Sequence, residues 1–285
     1  LIQAGGVPEM RLILVFLLLG ANAAQAQFRL PNIDINRAID AAKNVGKATR
    51  EIGEPEEIAI GRDVASRILG AAPLVADPAL QRYVNSVGRW LAAQTERADL
   101  PWQFGVLETP HLNAFAVPGG TIFITRGLLA QMRNEAELAG VLGHEIVHVL
   151  RKHHLKAIQK GAQTALAGEA MSIALRDRGG AARDKLISLG TEMYGRGLDK
   201  SDELEADRLG VVIAARAGYD AYGLPSVLQT LQSLNAQDSQ LALMFKTHPA
   251  PGERLDALGE KMQPVLDAYS RQPQLGERFH AQIKR

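Results

Sequence analysis

Apolar and polar positions divide this chain into helical stretches around one short β segment. After Asp77-Pro78, residues Leu80, Tyr83, Val84, Val87 and Leu91 recur at three- and four-residue intervals. That spacing predicts an amphipathic helix with the aspartate and proline at its start. An earlier helix is expected from Glu54-Pro55 to about Leu69, opened by acidic residues and an early proline. From Trp102 to Glu108 the alternation shortens to a period of two, the mark of a strand. Asn113 to Val117 and Thr121 to Thr125 read as a hairpin around Pro118-Gly119-Gly120. From about Asn134, residues Ala136, Leu138, Ala139, Val141, Leu142, Ile146, Val147, Val149 and Leu150 leave almost no polar stripe, so this helix is expected to be mostly buried. Further helices are expected from Ser201 to about Arg216, from Gly223-Leu224-Pro225 to about Leu234, and from Gly252 to about Met262.

The remaining segments carry weaker periodicity. Lys156 to Leu198 is a long alanine-rich insert, read as a helical hairpin covering the core, with a lid or membrane-touching flap as the alternative. Met10-Arg11 precedes the apolar run Leu12 to Leu19, which is too short to span a bilayer, and Ala24-Gln25-Ala26 fits a small-x-small cleavage site. Residues 1–26 are therefore expected to be an N-terminal extension and a cleaved signal peptide, with an N-terminal anchor as the rival. Residues 27–53 read as a leader, 54–271 as one domain, and 272–285 as a polar tail. No 34-residue helical repeat is visible.

Composition narrows the function classes. A formal net charge of +1 gives no electrostatic footprint for nucleic acid. Hydrophobic residues make up 46% and aromatic residues only 5%, with many alanines and leucines, which favours helices and a mainly helical α+β class. The chain has no cysteine, so disulfides and a cysteine-linked lipid anchor are excluded. Export without disulfides fits a periplasmic location.

The candidate chemistry lies in the buried helix. His144-Glu145-Ile146-Val147-His148 reads H-E-x-x-H. Residues four apart share a helical face, so both imidazoles can reach one Zn²⁺, and Glu145 is then placed to act on water there. The plainer alternative is two surface histidines flanking a helical glutamate. Histidine and glutamate are costly in an apolar helix unless something pairs with them, which favours the metal. A catalytic zinc usually takes a third protein ligand. Glu203 and Asp207, four apart in Asp202 to Gly210, share a face, whereas Glu205 points elsewhere. Glu203 can supply that ligand, and Asp207 can hold a ligand histidine by its second ring nitrogen. An acidic first turn of a helix would explain the same residues without a metal. By helical extension His153 lies well round from His144 and His148, and His154 lies two turns away, so neither is placed to be a ligand and both are expected in solvent.

These motifs, taken in order, resemble the gluzincin family of zinc endopeptidases that contains the CAAX prenyl protease and its HtpX/BepA-like members. Glu203 and Asp207 match its E-x-x-x-D pattern, Asn113 to Leu129 its segment before the zinc helix, and His248-Pro249 through Arg254 its H-P-x-x-x-x-R motif. The resemblance runs from about Glu54 to Lys261. It implies a zincin-like fold with a small antiparallel sheet beside the zinc-binding helix. It also implies one Zn²⁺ held by His144, His148 and Glu203, and Glu145 as general base. His248 is implied as an oxyanion donor or a closing fourth ligand, and Arg254 as its orienting partner or a second oxyanion donor. Asn113, Ala114 and Phe115 are implied to pair with an extended substrate by β-addition, rather than forming a plain sheet edge. The expected function is hydrolysis of extended or misfolded cell-envelope proteins. Partners expected on the same ground are unfolded polypeptides and either outer-membrane assembly machinery or a membrane surface. A zinc-stabilised assembly chaperone with little proteolysis is the competing expectation.

Overall fold

The computed structural model describes residues 51–161, 197–234 and 241–283. The expected signal peptide, nearly all of the leader and most of the 156–198 insert lie outside the described residues. Helices α1 (Glu54–Ala71) and α2 (Pro78–Ala92) precede strands β1 (Gln103–Leu107), β2 (Ala114–Val117) and β3 (Thr121–Thr125). Then follow α3 (Arg126–Ala130), α4 (Glu135–Leu150), α5 (Lys200–Arg216), α6 (Gly223–Ser233), α7 (Ala242–Thr247), α8 (Pro251–Leu266) and α9 (Gly276–Ile283). None of the described helices is long and apolar enough to cross a membrane.

Helix α2 starts where the sequence places it. The Asp77 side chain accepts from the backbone N–H groups of Ala79 and Leu80, and Pro78 occupies the first turn, where its missing N–H is not needed. Its apolar face, with Leu80, Val84, Val87 and Leu91 buried, lies on β1. Gly88 permits this approach, since a Cβ there would stand 2.3 Å from the Phe104 ring. Side chains of α2 also cover the outer edge of β1. Val106 N–H donates to Gln81 Oε1, and Phe104 N–H donates to Asn85 Oδ1. Buried edge amides thus find partners without a fourth strand.

The sheet has the order β1-β3-β2, with β1 parallel to β3 and β2 antiparallel to it. The expected antiparallel sheet is therefore mixed. The hairpin forms as expected, with Gly119 (φ 81°) and Gly120 (φ 102°) supplying its left-handed turn. The consequence for function is that β2 is an outer strand, next to α4.

Helix α4 is the axis of the molecule. Asn134 caps it, accepting from Glu137 N–H, and every residue from Glu135 to Val149 is buried. It packs against α5, α6, α2 and β2.

At the C-terminus the sequence expectation fails. Residues expected to be a polar tail contain α9, whose Phe279 is fully buried. Arg278 of α9 pairs with Glu135, a wholly buried carboxylate at the start of α4 that also accepts from the hydroxyls of Tyr83 and Tyr219 at 2.8 Å. The short helices α3 and α7 were not anticipated either, and α5 begins at Lys200, one residue before the expected start at Ser201.

Candidate metal centre

Two glycines decide where the site forms. Gly143 of α4 and Gly210 of α5 face one another. A Cβ on Gly210 would lie 2.6 Å from the His144 nitrogen, and one on Gly143 would lie 2.7 Å from the Gly210 carbonyl oxygen. Backbone can approach backbone only because neither residue has a side chain. Two turns before Gly210, α5 then delivers Glu203 beside the two histidines of α4.

The result is a tight, buried triad. The Nε2 atoms of His144 and His148 are 3.0 Å apart. Glu203 Oε1 lies 3.5 Å from His148 Nε2, and Glu203 Oε2 lies 3.7 Å from His144 Nε2. Among the described residues this is the one group of three ligand-type side chains whose donor atoms all lie within 4.8 Å of each other. Glu203 Oε1 is buried and has no hydrogen-bond partner, an expensive state for a carboxylate oxygen. Two imidazole lone pairs converging on an unsatisfied carboxylate oxygen fit a divalent cation, and the His₂Glu donor set suits zinc.

The flanking groups fix which nitrogen faces the ion. His144 Nδ1–H donates to Asp207 Oδ1 at 2.8 Å, which leaves Nε2 as the lone-pair nitrogen. Asp207 is in turn gripped by Arg254, whose Nε donates to Oδ2 at 2.9 Å and whose second nitrogen donates to Oδ1 at 2.5 Å. This is the planar fork-to-fork match that favours arginine. Arg254 thus engages Asp207, where the resemblance implied His248. Burial disfavours the Asp207 carboxylate, but Arg254 and His144 outweigh it and hold its pKa far below the usual range. Glu203 follows the same logic. Burial opposes its charge, yet the neighbouring His248, with help from His144 and Arg254, brings its pKa down to about 2.

His248 sits at the end of α7, with Nδ1 2.5 Å from Glu203 Oε2. Its ring lies at the cleft wall, 5.6 Å from that of His144. Burial would lower its pKa, but contact with Glu203 raises it. Glu145 is buried beside the ligands, and burial pushes its carboxyl above the ordinary range.

Two hollows flank Glu145 and His248. One, open to solvent, has an apolar wall of Leu128, Val141, Leu224, Val227, Leu231 and Met244. The other is bounded by Phe115, His154, Leu198 and Glu203. Asn113 and Ala114 border the first, and Ala114 and Phe115 the second, so the start of β2 runs past both. The Asn113 amide is oriented by Ala114 N–H donating to its Oδ1, which leaves Nδ2 buried without a partner.

Sequence reasoning missed two histidines. His153 is 2% exposed, with Nδ1 2.9 Å from His148 Nδ1. The His154 ring lies 5.3 Å from that of His148 and borders the second hollow, and burial lowers its pKa to about 3. Both had been expected in solvent. The reason is local: α4 stops at Leu150, and Lys152 adopts φ 56°, which turns the chain back before residues 153–161 resume as helix. Extending the helical wheel past residue 150 therefore misplaces both side chains.

Comparison with known proteins points the same way. A model of peptidase family M48 matches residues 78–262, more than half of the chain. The chain is 31% identical over 206 residues to the beta-barrel assembly-enhancing protease of Yersinia pestis, covering 70% of this chain and 42% of that one. To the protein of the same name from Escherichia coli (strain K12) it is 30% identical over 229 residues, covering 77% and 46%. It is also 29% identical over 166 residues to the metalloprotease LoiP of Escherichia coli (strain K12), covering 57% and 63%. The chain thus spans less than half the length of the first two relatives.

Proposed function

This chain belongs to peptidase family M48, and we propose that it is a zinc-dependent endopeptidase that cleaves extended or misfolded polypeptides of the cell envelope. The observation that carries this reading is the convergence of His144 Nε2, His148 Nε2 and the partnerless Glu203 Oε1 beside a buried Glu145. Zinc held by His144, His148 and Glu203 would supply Lewis acidity, which activates water near neutral pH and polarises the scissile carbonyl. Glu145 takes the proton of the attacking water and then passes it to the leaving amine. Its burial-raised pKa suits a group that must both accept and release a proton. His248, which borders both hollows, donates to the oxyanion that develops on the carbonyl. Asp207 and Arg254 act one step back, holding the His144 ring in its ligating tautomer.

The substrate class rests on the cleft. An extended chain can add to the outer strand at Asn113, Ala114 and Phe115, and the unpaired Asn113 Nδ2 offers a donor to its backbone carbonyl. The apolar wall next to Glu145 favours a small aliphatic side chain adjoining the scissile bond. Such side chains are exposed on misfolded proteins and hidden in folded ones. The name of the Yersinia and Escherichia relatives supports a place near β-barrel assembly in the outer membrane, and with it a periplasmic location.

Glu145→Gln tests the mechanism. The variant is expected to keep one zinc per chain by elemental analysis and to lose cleavage of unfolded casein by at least about a hundredfold. Wild-type cleavage by the variant would sink the assignment of the base. Full rescue of an envelope-stress phenotype by the same inactive variant would favour the assembly chaperone instead.

A further inference from the structure

His144 and His148 are held from behind in different ways. His144 leans on a carboxylate that is itself neutralised by Arg254. Among the described residues, no carboxylate meets the second nitrogen of His148. Its Nδ1 meets another imidazole nitrogen, Nδ1 of His153, at 2.9 Å. On the far side, His153 Nε2 faces Glu205 Oε2 at 3.4 Å and Asp202 Oδ1 at 3.7 Å, both on the first turns of α5.

We propose that His153 is a positioning residue for the metal centre, accepting the Nδ1–H of His148 while its own Nε2–H faces the Glu205 carboxylate, with Asp202 beside it. The inference rests on the zinc reading above and extends it to a residue outside the ligand set. Proton positions follow by elimination. With Nε2 of His148 turned to the ion, its only ring proton is on Nδ1. That N–H points at His153 Nδ1, which must therefore offer a lone pair. The single proton of a neutral His153 is then on Nε2, where the two carboxylates of α5 lie. The chain from ligand to helix is thus ordered: His148 donates to His153, and His153 donates towards α5. It ties the His148 ring to the same helix that delivers Glu203, so that one element orients all three ligands.

Acceptors behind ligand histidines typically account for roughly a 10–100-fold difference in metal affinity. His153→Phe keeps a ring of similar size and removes the acceptor. His153→Gln restores an acceptor oxygen and a donor in the same side chain. Zinc affinity is measured by competition with a chromophoric chelator, and the Co²⁺-substituted proteins are compared by their visible spectra. The expected result is that His153→Phe weakens zinc by roughly 10–100-fold and shifts the cobalt bands, whereas His153→Gln recovers most of both. Equal affinity of His153→Phe and wild type overturns the proposal, and so does equal loss in both variants. A third measurement needs no variant. In the zinc-bound wild type, ¹⁵N-imidazole NMR must find His153 protonated at Nε2 and His148 at Nδ1. A proton on His153 Nδ1 overturns the proposal while leaving the zinc reading intact. Failure of the wild type to bind zinc, or retention of zinc by His148→Ala, would instead undo the metal centre and this proposal with it.

Discussion

Gly210→Ala is the sharpest test of how the fold makes the site. The new methyl would lie 2.6 Å from the His144 nitrogen and 2.8 Å from its Cα. Both are backbone atoms of α4, so no side chain can swing aside. Ordinary carbon contacts begin near 3.5 Å, so the helices must part by roughly 0.5–1 Å. Overpacking of this kind typically costs about 1–3 kcal/mol. For a domain of this size the zinc-free protein should melt roughly 2–12 °C lower. The effect on zinc should be separate and additional. Glu203 rides on the same helix two turns away, and metal–ligand distances tolerate only about ±0.2 Å. Zinc affinity should therefore fall at least about tenfold, or about 1.4 kcal/mol. The assay is thermal unfolding with chelator and with excess zinc, because the zinc-induced rise in Tm reports affinity by mass action. Gly259→Ala is the internal control. It lies inside α8, where a Cβ meets nothing within 4 Å, so it should leave the zinc response unchanged and stabilise the helix by about 0.5–1 kcal/mol. If Gly210→Ala behaves like Gly259→Ala, close helix approach is not what assembles the ligands.

Two other outcomes follow from the buried charges. The folded-state pKa of Asp207 lies well below its unfolded value, so its contribution to stability is present above about pH 4 and is lost as pH falls towards the folded pKa. In chelator-treated protein, Asp207→Asn should therefore lower stability at pH 7 and flatten the acid limb below about pH 4; an unchanged acid limb by circular dichroism would contradict the pairing with Arg254. Arg278→Leu removes the ion-pair partner of buried Glu135 and leaves it the hydroxyls of Tyr83 and Tyr219. It should destabilise by about 1–2 kcal/mol, Arg278 being half exposed, and should speed hydrogen exchange in α9 before α4. Uniform exchange across both helices would show that α9 is held by Phe279 alone.

How much of this was legible in the sequence depends on the range of the signal. Helix α2 was readable because its start, its proline and its apolar stripe fall within fifteen residues. The hairpin was readable from Pro118-Gly119-Gly120, and the pairing of His144 with His148 from a single turn of helix. Parallel pairing of β1 with β3 was not readable, since a period of two describes a strand and says nothing of its neighbour's direction. Nor was α9. One buried aromatic, Phe279, gives no periodicity, and the Glu135 hub that anchors Arg278 is assembled from α2, α4 and Tyr219, far apart along the chain.

The site itself divides along the same line. Glu203 and Asp207 were legible as residues sharing a helical face, but their distance from His144 depends on Gly143 meeting Gly210, a contact between two helices separated by a long insert. Arg254 carried a spacing from His248 and no indication that its guanidinium engages Asp207. His153 shows the limit most clearly. A wheel drawn straight through residue 150 turns it away from His148, and that extrapolation is sound for an unbroken helix. The helix breaks at Lys152, a non-glycine residue held at positive φ while its ammonium sits 3.4 Å from the buried carboxylate of Glu57 on α1. Such a conformation is uncommon for lysine and persists only where surrounding contacts fix it. The information that places His153 behind the metal therefore lies partly in Glu57, far upstream, where no local window centred on the zinc motif can find it.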